Sequence, residues 1–178
     1  LPANRLMLKL IARHGSSFRL AYSISGMALE QFEQYVPEVI ETFQQLAATG
    51  CVEFLAETYH HSLAFLYSEA EFREQVAMHV ARVEQLFGQR PRVFRNTELV
   101  YSDAVGKLAA QMGYVAVAAE GADHVMGTRP VTSLYHPPGV PAIKVLLKHY
   151  RLSDDIAFRF SNRAWPEWPL TAEKFAGR

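Results

Sequence analysis

The stretch "RVFRNTELVYSD", residues 92–103, begins as a strand and ends as a polar cluster. Val93 and Phe94 are apolar and favour extended backbone, as in a strand buried within a sheet. Asn96, Thr97, Glu98, Tyr101 and Asp103 then place an amide, a hydroxyl, two carboxylates and a phenol just beyond it. A buried strand that stops in such a cluster matches the place where α/β folds keep their chemistry, at the ends of strands. Whether the rest of the chain is an α/β fold therefore decides how Glu98 is read.

Working outward, strands and helices alternate. Upstream, a helix opens at Ser68 with Glu71 three positions on, a capping-box spacing, and carries Phe72, Val76, His79, Val80, Val83, Leu86 and Phe87 at helical intervals before Gly88. Before it come the strand "CVEFLAE" (51–57) and the loop "TYHHSLAFLY" (58–67). Further back, a helical region follows Gly26 to Gly50, with Pro37 breaking it or starting a second helix. "FRLAYSIS" (18–25) reads as a strand, and Asn4 to His14 as a helix stopped by Gly15. Downstream lie a helix from Asp103 to Met112, the strand "YVAVAAE" (114–120), a loop rich in Gly and Pro over 121–141 with room for a short strand or hairpin, and the strand "AIKVLLK" (142–148). "RLSDDIAFRFS" (151–161) reads as a last extended segment, and "EWPLTAEKFAG" (167–177) as a short helix. Strands alternating with helices predict a parallel sheet, open or closed into a barrel. Its strand ends would collect Glu57, Tyr59, His60, His61, Asn96, Thr97, Glu98, Glu120, Asp154 and Asp155.

Composition narrows the function. Of the 178 residues, 49% are hydrophobic and 20% charged, as in an ordinary globular protein. Eighteen basic residues balance eighteen acidic ones, so nothing directs the chain to nucleic acid or an anionic membrane. No apolar run approaches the ~20 residues that cross a bilayer, and the chain reads as soluble and cytoplasmic. Cys51 is the single cysteine, which rules out an internal disulfide and a multi-cysteine zinc site and suits a small buried residue. His60 and His61 are adjacent rather than spaced as zinc ligands, so no metal is expected, nor any organic cofactor. One of the two is better suited to a sugar hydroxyl or to adjusting a carboxylate. His79, on an apolar helix face, reads as a core histidine. No oligomeric state follows from the sequence.

Two carboxylates from different strand ends, Glu98 with Asp154 or Asp155, are what glycosidic cleavage needs: one to attack the sugar carbon and one to protonate the departing oxygen. Each can equally be a helix cap or a salt-bridge partner. Tyr59, Tyr101, Trp165 and Trp168 offer faces on which glucose rings could stack, or ordinary packing. Arg95 and Arg159 flank the two candidate carboxylates and are placed to pair with them.

Three stretches, "VEFLAETYHHSLAFLY" (52–67), "VFRNTELVY" (93–101) and "LSDDIAFRFS" (152–161), resemble the second, third and fourth motifs of glycoside hydrolase family 57, particularly its α-amylase branch, in the family's order. The resemblance implies an incomplete barrel of seven strands and a retaining enzyme acting on α-1,4-glucosidic bonds in starch, glycogen or maltodextrin. Glu98 would be its nucleophile and Asp155 its acid/base, with Asp154 the alternative. Tyr59, His60, His61, Tyr101, Trp165 and Trp168 would bind substrate. Transfer, as in a 4-α-glucanotransferase or branching enzyme, would use the same carboxylates. A non-catalytic glucan-binding fragment and a metal-dependent polysaccharide deacetylase are the other readings. The family's first motif, a His-Gln-Pro, and its fifth are absent, so residues 1–178 are expected to be an internal part of a catalytic domain, truncated at both ends.

Overall fold

The computed structural model describes residues 1–178. Helix α1 (Pro2–His14) starts on a proline and stops at Gly15, whose φ of 58° combined with ψ of −142° is a conformation for glycine. Strand β1 (Leu20–Tyr22) leads to α2 (Gly26–Tyr35), capped by Ser25, and Pro37 starts α3 (Pro37–Ala48). After β2 (Val52–Phe54) comes α4 (Glu69–Phe87). Ser68 Oγ accepts the Glu71 amide at 3.3 Å, while the Glu71 carboxylate turns to Gln75, so only half of the expected capping box forms. Then follow β3 (Val93–Arg95), α5 (Asp103–Gln111), β4 (Ala116–Glu120), α6 (Asp123–Met126), β5 (Lys144–Lys148), α7 (Tyr150–Asp154) and α8 (Ala172–Ala176).

All five strands run parallel. β1 pairs with β2, and β3 with β4 and β4 with β5. Ala56 joins the two groups: its N–H donates to Val93 O at 2.9 Å and its carbonyl accepts from Arg95 N at 2.7 Å. Strand order thus follows chain order without reversal. Right-handed crossovers then carry the helices to the same face, which is the winding of a barrel rather than of an open doubly wound sheet. The α/β, incomplete-barrel expectation is borne out, with five strands present.

That helix-covered face holds the core. Phe54 and Phe94, with Val117 and Val145, alternate inward to it, while Glu53, Leu55, Val93, Arg95, Ala118, Lys144 and Leu146 on the opposite face stay partly or fully exposed. Helix α4 serves two clusters. Its Phe72, Val76 and Val80 pack with Phe94 and Val105, and its Val83 and Phe87 pack with Ile40, Phe43 and Phe54. Phe54 and Phe87 stack with ring centroids 4.1 Å apart. No helix is long and apolar enough to cross a membrane.

One segment departs from its expected form. Residues 151–161, expected to be extended, continue from α7 into a π-helical turn over Asp155–Arg159. Ile156, Phe158 and Phe160 alternate as a strand would, yet all three are exposed and no neighbouring strand takes their backbone. The Asp155–Arg159 pair closes an i,i+4 contact, the spacing at which side chains meet on helical backbone.

Candidate active site

The site is built where β2 and β3 end. After Arg95 the chain turns sharply. Asn96, almost wholly buried, donates Nδ2–H to Val100 O at 3.0 Å, and Thr97 Oγ1 meets Thr58 Oγ1 at 3.0 Å across the two strand ends. Within this turn Glu98 takes φ 53° and ψ 20°, and Leu99 follows at φ 56°. Left-handed backbone costs an L-residue roughly 1–2 kcal/mol, a cost that concentrates at functional sites. It turns the Glu98 side chain outward, 74% exposed.

His61 meets it from β2. His61 is also left-handed, at φ 53°, in a turn closed by its N–H donating to Thr58 O at 3.1 Å. Its Nε2 lies 3.1 Å from Glu98 Oε1, and its Nδ1 lies 3.2 Å from Glu57 Oε2. Glu57, with its side chain only 2% exposed, accepts a 2.5 Å hydrogen bond from Ser23 Oγ. Its own amide donates to Nδ1 of His79 at 3.4 Å, while Nε2–H of that ring donates to Ile24 O at 2.8 Å. His79 is therefore a neutral, satisfied core histidine, its pKa lowered chiefly by burial. His61 is shifted the other way: the Glu57 hydrogen bond raises its pKa most, partial burial opposes it, and Glu98 adds to it. Only the imidazolium can donate to both carboxylates at once.

The Asp pair sits elsewhere, beyond β5. Asp155 is buried, with Oδ1 accepting from Arg159 Nη1 at 2.7 Å and Oδ2 accepting from Arg178. The Arg159 hydrogen bond, with help from Arg178, holds its carboxyl below the usual aspartate range. Such a group stays ionised. Asp154 is half-buried and makes no ion pair. β4 separates β3 from β5, which puts the two strand axes about 10 Å apart.

The remaining candidates divide. Tyr59 is 7% exposed, its hydroxyl donating to Glu30 and its ring lying against Gly26, where an added Cβ would come within 2.4 Å. Burial and Glu30 push its pKa up to about 12, and its ring packs under α2 rather than facing solvent. His60 points outward beside it. Tyr101 is half-buried beside Gly106, its hydroxyl without a partner, and borders a cavity of about 360 Å³ lined also by Glu120, Arg129, Tyr135 and His136. The Arg178 guanidinium lies 5.0 Å over the Trp165 ring, and that of Arg163 lies 5.8 Å over Trp168. Of the two arginines expected to pair with the carboxylates, Arg159 does, and Arg95 makes no ion pair. Glu57 was legible as a carboxylate four residues before His61 at a strand end, but its burial was not. No cluster of three or more His, Cys, Asp or Glu side chains is placed to hold a metal ion.

Known proteins resemble this chain along its whole length. The sequence model described as "Glycosyl hydrolase family 57" matches residues 1–178. A protein of Methanocaldococcus jannaschii named "Putative alpha-amylase" is 44% identical over 177 residues, covering 99% of this chain and 37% of its own length. Among solved structures, 4-alpha-glucanotransferase from Thermococcus litoralis superposes with a TM-score of 0.71 at 17% identity, over 86% of this chain and 24% of that one. A GH57-type branching enzyme from Pyrococcus horikoshii gives 0.66 at 14% identity, over 84% and 41%. At these identities the two structures speak for the fold. The chain spans 37% of the length of the curated relative it matches.

Proposed function

For a chain that belongs to glycosyl hydrolase family 57, as this one does, we propose retaining cleavage of α-1,4-glucosidic bonds in starch, glycogen or maltodextrin, with Glu98 as nucleophile. The observation that carries the reading is the carboxylate of Glu98, exposed on left-handed backbone at the end of β3 and met by His61. Glu98 Oε attacks the anomeric carbon while an acid protonates the departing glycosidic oxygen, leaving a covalent β-glucosyl ester. Water then attacks that carbon, giving its proton to the conjugate base of that acid, and the α configuration returns. This chemistry calls for no metal or organic cofactor.

The acid/base falls to the Asp154–Asp155 pair. The family resemblance favours Asp155. Its two arginine partners suit the base half of the cycle, and the acid half requires at least one of them to move away. Asp154, free of ion pairs, is the alternative. Azide rescue decides between them: replacement of the true acid/base by Ala, assayed on an activated glucosyl substrate, gives α-glucosyl azide and restored turnover. Neither variant being rescued, with Glu98→Ala still fully active, would end the retaining mechanism.

Transfer is the second reading, because one structural relative is named a 4-alpha-glucanotransferase and the other a branching enzyme, and such reactions would use the same two carboxylates. Incubation with maltotriose separates the two. Longer chains mean that a sugar outcompetes water, whereas glucose and maltose alone mean hydrolysis.

A further inference from the structure

His61 stands between two carboxylates of opposite character. Glu98 is exposed at 74% and held by nothing else, whereas Glu57 is buried at 2% and pinned by Ser23 at 2.5 Å. The Glu57 backbone is fixed as well, through its amide on the buried ring of His79. A flexible glutamate thus leans on an imidazole that leans on a rigid one.

We propose that Glu57 is a positioning residue which, acting through His61, holds the Glu98 carboxylate at the point of attack. This role rests on reading Glu98 as the nucleophile. The physical argument begins with the ring. With both nitrogens facing carboxylate oxygens, a neutral imidazole would leave one lone pair against a carboxylate, so Glu57 and Glu98 together select the imidazolium. The charged ring then donates Nδ1–H to Glu57, which sets its plane, and Nε2–H to Glu98, which restrains a side chain that otherwise samples several rotamers. The ring's Nε2, 3.1 Å from Oε1, also sets a charged donor directly against the carboxylate that is to attack. Glu57 touches no substrate in this arrangement. It acts only through the histidine, as the third group of a nucleophile–base–orienter set does.

The test reads the ring directly and needs no turnover. Two-dimensional ¹⁵N spectra follow both ring nitrogens of His61, assigned by His61→Asn, through a pH titration of the unaltered protein, Glu57→Gln and Glu98→Gln. The expected result is a His61 midpoint above the ordinary ~6.5 that falls in both variants, further in Glu57→Gln. Alongside it, the rate at which Glu98 is labelled by a fluorinated α-glucosyl fluoride should fall at least about ten-fold in Glu57→Gln, short of the roughly 10⁴ lost when the orienting aspartate of a serine protease triad is neutralised. A folded Glu57→Gln protein with an unchanged His61 midpoint would overturn the proposal. Should that variant not fold, the unaltered protein decides, since a midpoint at or below ~6.5 is incompatible with two carboxylate partners. Labelling at another carboxylate, with the His61 shift intact, would strike the nucleophile assignment and the positioning role together while leaving the hydrogen-bonded chain in place.

Discussion

Replacing Glu98 by Gly and by Ala separates backbone strain from side-chain chemistry. Both substitutions delete the carboxylate and its bond to His61, so both lose the same exposed ion pair, about 0.5 kcal/mol or less. They differ in what they do at φ 53°. Alanine keeps the left-handed cost of roughly 1–2 kcal/mol, and glycine removes it. Glycine pays instead about 0.5–1 kcal/mol of extra unfolded-chain entropy. The difference leaves Glu98→Gly more stable than Glu98→Ala by about 0.5–1 kcal/mol, the reverse of the order at an unstrained position. At 178 residues this corresponds to a melting temperature about 1–4 °C higher for the glycine variant. Urea unfolding of the two proteins, with matched slopes, measures it. Alanine equal to or better than glycine would refute the strain at Glu98, and with it the argument that function holds the residue there.

Other substitutions probe the supports of the site. Gly26→Ala drives a Cβ to within 2.4 Å of the Tyr59 ring and should destabilise by about 1–3 kcal/mol, read as a lower melting temperature. His79→Phe orphans the Glu57 amide and the Ile24 carbonyl, and should cost about 2–5 kcal/mol in denaturant unfolding. Because the folded pKa of His61 is raised, its contribution to stability is complete below about pH 6.5 and is lost as pH rises through the folded midpoint. Glu57→Gln should flatten that stretch of the stability–pH curve, followed by urea midpoints at half-unit steps. Asp155 has a lowered pKa, so its contribution is present above the ordinary aspartate range and disappears as pH falls through the folded value, and Asp155→Asn should remove that acid limb from the same curve.

Much of the fold was written in local signals. Ser68, Gly88 and Pro37 punctuate helices for reasons internal to a few residues, and the apolar runs around Phe54, Phe94 and Val117 become parallel strands as their β-prone composition predicts. Residues 151–161 were misread because Ile156, Phe158 and Phe160 alternate like a buried strand while facing solvent. Pattern gives periodicity but not what lies opposite it. The site shows the same division. Glu98 was legible as a carboxylate at a strand end, whereas its left-handed backbone, and that of His61, comes from turns fixed by long-range contacts such as Thr58 with Thr97. The arginine that closes over Asp155 lies 23 residues further along the chain, beyond the reach of any local motif. Tyr59 carried the composition of a stacking platform, and its burial depends on Gly26, more than thirty positions earlier.

The central claim is that Glu98 forms a covalent bond to a glucosyl carbon. Incubation with a fluorinated α-glucosyl fluoride, followed by intact-mass measurement and peptide mapping, tests it most directly. The account predicts one added fluoroglucosyl mass on the peptide containing Glu98 and none in Glu98→Gln. An adduct on another residue, or a folded, active protein that accumulates no adduct, would contradict it.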